Sequence, residues 1–179
     1  MIIALAGRRI DAPDAPTPRF PSENVPLVQS RLADLFAREG ATALVSSGAC
    51  GADLLALEVA GARGMQRRVV LAFDRERFRV TSVTDRGGDW GAHYDRVLAE
   101  LDPSGDVVTL DGHGEGTEAY IAVNRAILRE AESLARQSST EAIAVLVWEG
   151  APRGDDDLTA SFGEDARGSG LRVESVKTL

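Results

Sequence analysis

The stretch 43–60 constrains the fold most, because it joins an apolar run, a turn of small residues and a helical pattern. Residues 43–45 predict a buried strand, and 53–60 carry apolar residues at helical spacing. The small residues between them let a ligand approach the backbone, and the helix start offers N–H groups that suit a phosphate or a carboxylate. The candidate ligand-binding residues of this turn are Ser47, Gly48, Ala49, Cys50, Gly51 and Asp53. A turn used only for strand-to-helix packing explains them equally well, since neither the dinucleotide fingerprint nor a Walker loop is present.

The rest of the chain repeats this alternation of strand and helix. Further apolar runs predict strands at 2–6, 68–73, 107–110, 142–148 and 171–176. Helical patterns separate them, and the run 142–148 is expected at the centre of the sheet. The sequence therefore predicts one domain, 1–179, with an α/β fold of three layers: a mostly parallel central sheet with helices on both faces.

Charge and composition exclude several classes of function. A formal net charge of -8 gives no general attraction to a nucleic acid. No apolar run approaches the length of a membrane span, and the first residues lack the features of a signal peptide. Cys50 is the single cysteine, so no intrachain disulfide is expected, and His93 and His113 have no companions that suggest a metal site. We expect a cytoplasmic protein without metal or other cofactor, and without nucleic-acid or membrane partners.

Polar residues that follow the first and third strands are candidates for a site, because parallel strands end at the same edge of a sheet. Gly7, Arg8 and Arg9 follow the first strand, and guanidinium groups pair planar anions in a bidentate way. The charged segment 74–83 follows the third strand. A solvated turn with local ion pairs is the simpler interpretation, which we prefer for Glu76 and Arg77, whereas Arg75 and Phe78 are better candidates for a site wall.

The second half of the chain adds three candidates. Asn124 lies at a helix position that should face the sheet, as a buried amide or a ligand contact. Asp157 or Thr159 can cap the last helix. Residues 112–118 resemble the Gly-Gly-x-Gly-Thr-x-x-Glu loop of phosphoribohydrolases, in which a glutamate serves the sugar. We favour a simpler interpretation, in which Thr117 is an N-cap and Glu118 lies in the first turn of a helix.

Several of these motifs together resemble one superfamily over nearly the whole chain. They are Gly-Arg-Arg-Ile-Asp-Ala-Pro at 7–13 with Arg-Phe-Pro at 19–21, Ser-Gly-Ala-Cys-Gly-Ala-Asp at 47–53, Phe-Asp-Arg-Glu-Arg-Phe at 73–78 with Thr-Ser-Val at 81–83, Tyr120 and Asn124, and Val-Trp-Glu-Gly at 147–150. The chain resembles SLOG-type Rossmann-like domains, which are related to Lonely Guy enzymes and DNA-processing A proteins, and specifically a bacterial branch found alone or joined to signalling domains. The resemblance implies a nucleotide-binding domain, at most a homodimer, with Trp148, Gly150 and Thr159 as further ligand-binding residues.

Two departures from this superfamily bear on phosphate binding. The family usually has a Gly-Pro-Gly-Gly-Thr-Ala type loop before the last helix, whereas residues 154–160 contain three consecutive aspartates. Arg8 stands where a histidine is common, so a fixed cation replaces a titratable group. The lost glycines and the added carboxylates weaken an anion site before the last helix.

Three functions are compatible with these residues. The leading hypothesis is the binding or sensing of a nucleotide or a nucleotide-derived small molecule in a cleft at the carboxyl ends of the strands. The alternative is an N-glycosidase or phosphoribohydrolase-like enzyme, a hydrolase or transferase acting on the N-glycosidic bond, whose carboxylate would stabilise an oxocarbenium-like sugar. Its candidate carboxylates are Glu115, Glu118 and Asp53. A third possibility is a protein-interaction scaffold with a decayed cleft.

Overall fold

The computed structural model describes residues 1–110 and 116–179. Over these residues the chain forms six strands that alternate with α-helices. The strands are β1 (Ile2–Gly7), β2 (Ala43–Ser46), β3 (Gln66–Leu71), β4 (Val107–Thr109), β5 (Ala142–Trp148) and β6 (Arg172–Lys177). The helices are α1 (Val25–Arg38), α2 (Ala52–Ala62), α3 (Arg75–Ser82), α4 (Trp90–Leu101), α5 (Thr117–Gln137) and α6 (Leu158–Gly168). Short 3-10 turns occur at Ser22–Asn24, Thr84–Arg86 and Asp102–Ser104.

The six strands form one parallel sheet in the order β4-β3-β2-β1-β5-β6. From β1 the chain moves outward to β4, and α5 then carries it back across the sheet to β5. Right-handed crossovers place α1, α2 and α4 on one face, and α5 and α6 on the other. The predicted three-layer α/β Rossmann-like fold is therefore confirmed, with all described strands parallel.

The core is centred on β1, whose residues Ile2 to Leu5 are buried. Ile2 lies beside Ala43 of β2 and Ala142 of β5, so β1 is hydrogen-bonded on both edges. The prediction that 142–148 lies at the centre of the sheet is wrong, because β5 lies between β1 and the edge strand β6. Apolar composition shows that a strand is buried but does not distinguish β5 from the equally apolar β1.

The predicted cap of α5 is wrong by position, and α1 also begins without a side-chain cap. Ser22 belongs to a 3-10 turn, and α1 begins only at Val25, with Pro26 in its first turn and no side-chain cap. The residue that precedes α5 is Gly116, with a φ of 60°, so Thr117 is the first helical residue rather than the cap. Glu118 lies in the first turn, as predicted.

The segment after β3 forms the helix α3, so the solvated turn preferred for Glu76 and Arg77 is wrong. Asp74 caps α3, because its carboxylate accepts a hydrogen bond from the Arg77 backbone N–H at 3.0 Å. Phe78 and Ser82 lie one turn apart and are both buried, so burial of this face stabilises a helix that is otherwise rich in charge. Among the described residues, no helix combines the length and the apolar character that crossing a bilayer requires.

Candidate functional site

A cavity of about 470 Å³ opens at the carboxyl ends of β1 and β2. It is bordered by the loop after β1, the turn after β2, one side of α5 and the start of α6. The connections that leave β1 and β5 run to opposite sides, so this is the topological switch point of the sheet, where open α/β sheets bind ligands. The volume lies within the range of about 300–1,000 Å³ that is typical of small-molecule sites.

The wall of this cavity has an apolar part and a charged part. The large apolar side chains that line it include Phe78, Tyr120, Val123, Ile127 and Leu158. Of the described residues, five arginines and two aspartates also line it: Arg8, Arg9, Arg19, Arg86, Arg153, Asp11 and Asp53. The carboxylates that pair with these arginines are not part of the lining; they are Asp85, Glu149 and Asp157.

Two glycines bring the loops after β1 and β2 together. A Cβ atom on Gly7 would overlap Ala52 of α2 and would lie 2.7 Å from the carbonyl oxygen of Val147, so only glycine fits between α2 and β5. Gly51 has a φ of 96° and forms an antiparallel bridge with Arg9. These close approaches hold the end of β1 against the start of α2, and so fix one side of the cavity.

Nine of the predicted ligand-binding residues line the cavity. They are Gly7, Arg8, Arg9, Ser47, Ala49, Asp53, Phe78, Asn124 and Thr159. Asn124 is half-buried, and its amide donates a hydrogen bond to the Leu158 carbonyl oxygen at 2.9 Å. The amide therefore has a structural partner at the start of α6 as well as a place on the cavity wall.

Four other predicted ligand-binding residues, three in the turn after β2 and one at the end of β5, do not line the cavity. Gly48, Cys50 and Gly51 are behind the wall, where Gly48 packs against the Tyr94 ring. Trp148 places its ring 5.7 Å from the Arg8 guanidinium and donates its indole N–H to Ser175. For these residues a contact with a ligand stays a prediction.

Arg75 and Gly150 also lie away from the cavity. Arg75 pairs with Asp102 in a separate shallow groove between α3 and α4, with Nη1 2.8 Å from Oδ2. Gly150 follows β5 with a φ of 106°, next to the Lys177 side chain. Both have structural contacts of their own, and a role in ligand binding stays a prediction.

The three candidate catalytic carboxylates have different positions. Glu115 lies outside the described residues. Glu118 is exposed in the first turn of α5 and does not line the cavity. Asp53 is only 7 % exposed and borders the cavity. Asp53 is therefore the candidate that the described structure places where a ligand would bind.

Arg8 is buried and fully engaged by the chain itself. Its Nε and Nη2 donate to the Glu149 carboxylate at 2.6 and 3.1 Å. Its Nη1 donates to Asp157 at 2.7 Å, and Nη2 also donates to the Ala151 carbonyl oxygen at 2.9 Å. All three nitrogens of the guanidinium are thus hydrogen-bonded, and Arg8 braces the loop that connects β5 to α6.

Asp157 fills the start of α6 with its own carboxylate. One oxygen accepts from the Thr159 and Ala160 backbone N–H groups at 2.9 and 3.2 Å, and the other from the Arg153 N–H at 2.6 Å. Burial alone would raise the pKa of Asp157, but these bonds and the one from Arg8 hold it well below its usual range. This confirms Asp157 as the predicted cap, and it means that the helix start already holds an anion.

The backbone at the start of α2 is also occupied. The N–H groups of Ala52 and Cys50 donate to the carbonyl oxygens of Arg8 and Ser82 at 3.0 and 3.1 Å. The Ala49 N–H donates to Asp53 Oδ2 at 3.3 Å. The predicted contact of this turn with a phosphate or ribose stays untested, and it would require a ligand oxygen to replace these bonds.

Asp53 is a buried carboxyl group that is only partly satisfied. Its Oδ1 has no hydrogen-bond partner among the described residues. Burial raises the pKa of Asp53 to about 7, although the Ala49 N–H and the nearby Arg9 guanidinium act in the opposite direction. Near neutral pH this group therefore exists in both protonation states and can accept or donate a proton.

Arg9 contrasts with Arg8. Its Nη2 donates to Asp85, but its Nε is buried without a hydrogen-bond acceptor among the described residues. The Cys50 thiol lies beside it, and burial raises the pKa of that thiol despite the nearby guanidinium. Cys50 is therefore a neutral packing residue, and its sulfur is not activated as a nucleophile.

Several wall residues were not predicted as site residues from the sequence. Arg86 and Arg153 carry no local signal, because each lies in a turn that only the fold brings to the cavity. Ser82 and Tyr120 join α3 to α5, with their hydroxyl oxygens 2.8 Å apart. Both residues belong to the motifs for which the sequence resembles SLOG-type domains, and that resemblance was the only signal for them.

Over residues 1–110 and 116–179, no cluster of His, Cys, Asp and Glu is arranged to hold a metal ion. No family model matches the sequence, and no curated protein matches it either.

Proposed function

We propose that the cavity binds a nucleotide or an anionic small molecule derived from one, in a SLOG-type domain. The observation that carries this proposal is the concentration of five arginines around one cavity in a chain of net charge -8. The position at the switch point supports it, because nucleotides bind there in open α/β sheets. The apolar side chains of α5 would suit the face of a base, and the polar residues would suit a sugar.

A thermal-shift screen with nucleotides, ADP-ribose derivatives and cyclic dinucleotides tests the proposal. A ligand present at a hundred times its dissociation constant adds about 2.7 kcal/mol to the free energy of unfolding. Ala15→Trp should abolish the shift, because Ala15 lines the cavity from the loop after β1 and a bulky ring there fills the opening. Asp14→Trp is the matched control, since Asp14 is exposed and outside the lining.

The outcomes separate the candidate functions. A shift that Ala15→Trp removes and Asp14→Trp retains supports binding in the cavity. A shift that both variants retain places the ligand elsewhere. No shift with any compound, together with a persistent oligomer, favours the protein-interaction scaffold.

One observation favours the enzymatic alternative as a second candidate. Asp53 combines burial, a place at the cavity and a pKa raised to about 7, which suits general acid–base catalysis near neutral pH. Release of free base from nucleoside monophosphates would support an N-glycosidase, provided that Asp53→Asn abolishes it. Saturable binding without release of base supports the sensor instead.

A further inference from the structure

The end of the cavity near α3 has two cations and one shared carboxylate. Arg9 and Arg86 both line the cavity, and Asp85 pairs with both of them. Arg9 donates through Nη2, whereas the Arg86 Nε lies 3.7 Å from the nearer Asp85 oxygen, beyond hydrogen-bond distance. Asp85 alone therefore balances only half of the charge of this pair, and the partly ionised Asp53 is the other carboxyl group near Arg9.

The same two side chains have unused donors. The Nε atoms of Arg9 and Arg86 are both buried, and neither has a hydrogen-bond acceptor within the described parts of the chain. A buried donor without an acceptor destabilises the folded state, and native proteins leave few of them. Both side chains line the cavity, so a small movement of either guanidinium would present these donors to an acceptor that arrives with a ligand.

At the opposite end of the cavity, a carboxylate of the chain already occupies the backbone donors. At the start of α6 the Asp157 carboxylate already accepts from three backbone N–H groups and from Arg8. This is an arrangement of donors that binds phosphate in many proteins, and here a carboxylate of the chain occupies it. A ligand phosphate directed there would meet Asp157 and be repelled.

Asp85 can leave the pair at low cost. It lies in the 3-10 turn Thr84–Arg86, and its side chain is 35 % exposed. Water can therefore solvate its carboxylate after displacement. A phosphate carries more charge and more acceptor oxygens than a carboxylate, so it satisfies two guanidinium groups better.

We infer, on the basis of the proposed function, that the ligand carries a phosphate or another dianionic group and that Arg9 and Arg86 hold this group in place of Asp85. The start of α6 does not bind it. The uncharged part of the ligand lies along the apolar side of α5, next to Tyr120 and Val123.

Calorimetric titration of paired compounds tests this assignment. The probes are the 5′-monophosphates of adenosine, guanosine, cytidine and uridine, the four matching nucleosides, and inorganic pyrophosphate. We expect at least one monophosphate to bind more tightly than its nucleoside. Arg86→Ala should lower the affinity for the monophosphate by about tenfold to a hundredfold, the usual range for a lost charge-assisted hydrogen bond. The affinity for the nucleoside should not change. Asp85→Asn should strengthen monophosphate binding, since it removes the competing carboxylate.

Arg79→Ala is the matched control. Arg79 also lies on this side of the molecule, but it pairs with Asp95 and does not line the cavity. Its loss removes the same charge and should leave the preference for the monophosphate intact.

The possible failures are distinguishable. If a monophosphate binds and Arg86→Ala leaves its affinity unchanged, the anion assignment is overturned and the proposed function stands. The same holds if nucleosides bind as tightly as monophosphates, or if Asp85→Asn lowers the affinity for the monophosphate. If no probe, pyrophosphate included, binds to the wild-type protein, the anion assignment is overturned, whereas the proposed function fails only if the thermal-shift screen with ADP-ribose derivatives and cyclic dinucleotides is negative as well.

Discussion

The two ends of the cavity use arginine in opposite ways. At the α6 end, Arg8 is 3 % exposed and every nitrogen of its guanidinium is hydrogen-bonded to the chain. At the α3 end, Arg9 and Arg86 share Asp85 and each keeps a buried Nε without an acceptor among the described residues. The first arrangement stabilises the fold, whereas the second leaves donors that the proposed ligand would engage.

This contrast shows that neighbouring residues of one type can have separate functions. Arg8 and Arg9 are adjacent, yet their side chains leave β1 toward different partners. Glu149 and Asp157 surround Arg8, while the nearest carboxylate to Arg9 lies in an exposed turn. The two ends differ in how many guanidinium donors the chain itself engages, because Arg8 has an acceptor at every nitrogen whereas Arg9 and Arg86 do not.

The largest effect is expected from Asp157→Ala. It would leave the buried Arg8 with one partner fewer and the start of α6 without its cap, so we expect a loss of about 3–5 kcal/mol in the free energy of unfolding. Because the pKa of Asp157 is lowered by folding, its stabilisation is present above the unfolded pKa near 4 and decreases as the pH falls below that value. Urea denaturation at pH 7 measures the loss, and Asp156→Ala, at an exposed neighbour, is the control. A loss below about 1 kcal/mol would contradict the assigned structural role.

Asp53→Asn should change how stability depends on pH. The pKa of Asp53 is about 7 in the folded protein and 3.8 ordinarily, so the folded state retains a proton that the unfolded state loses between these values. The free energy of unfolding of the wild-type protein should therefore fall as the pH rises from about 4 to 7 and stay constant at higher pH. Titration of Asp53 contributes no more than about 4 kcal/mol to this fall. The asparagine variant should lack this component. Denaturation of both proteins at pH 4 and pH 8 measures it, and parallel pH profiles would show that Asp53 titrates normally.

Tyr120→Phe tests how much one neutral hydrogen bond stabilises the α3 end of the cavity. The variant removes the hydroxyl that pairs with Ser82 but keeps the ring. This ring contacts the Phe73 ring edge to face, with 5.9 Å between the ring centroids. A neutral hydrogen bond of this kind contributes about 1 kcal/mol. Thermal denaturation should detect this loss, and an unchanged midpoint would mean that water replaces the hydroxyl at no cost.

Arg86→Ala should have the smallest effect on stability. Its side chain is 31 % exposed and its distance to Asp85 is 3.7 Å, so we expect a change within about 0.5 kcal/mol, as for most surface substitutions. Urea denaturation without ligand measures it. A loss above about 2 kcal/mol would give Arg86 the same structural role as Arg8 and remove the difference between the two ends.

The fold was predictable from the sequence because buried parallel strands are continuous apolar runs. The runs at 2–6 and 142–148 correspond to β1 and β5, and the alternation with helical patterns gives the parallel order. The centre of the sheet was not predictable, because both runs are equally apolar. The helix α3 was missed because only Phe78 and Ser82 bury its inner face, too few residues to show a helical period.

The site was predictable only in part. Arg9 lies two residues after β1, and Asp53 lies at the start of α2, after the turn that follows β2, so their place at the cavity follows from the parallel sheet. Arg86 could not be found, because it is 77 residues from Arg9 in the chain and comes to the same wall through α3 and a 3-10 turn. The pairing of Arg8 could not be found either, since its partners Glu149 and Asp157 lie beyond β5.

The strand order has a consequence for the order of assembly during synthesis. β1 pairs with β2 and with β5, and β5 follows about 140 residues after β1 in the chain. Until residues 142–148 have left the ribosome, the β5-facing edge of β1 exposes unpaired backbone groups, which invites mispairing with another chain. The wall of the cavity includes residues that follow β1 and β2 and residues that follow β5. A nascent chain would therefore complete this wall last, after most of its sheet is in place.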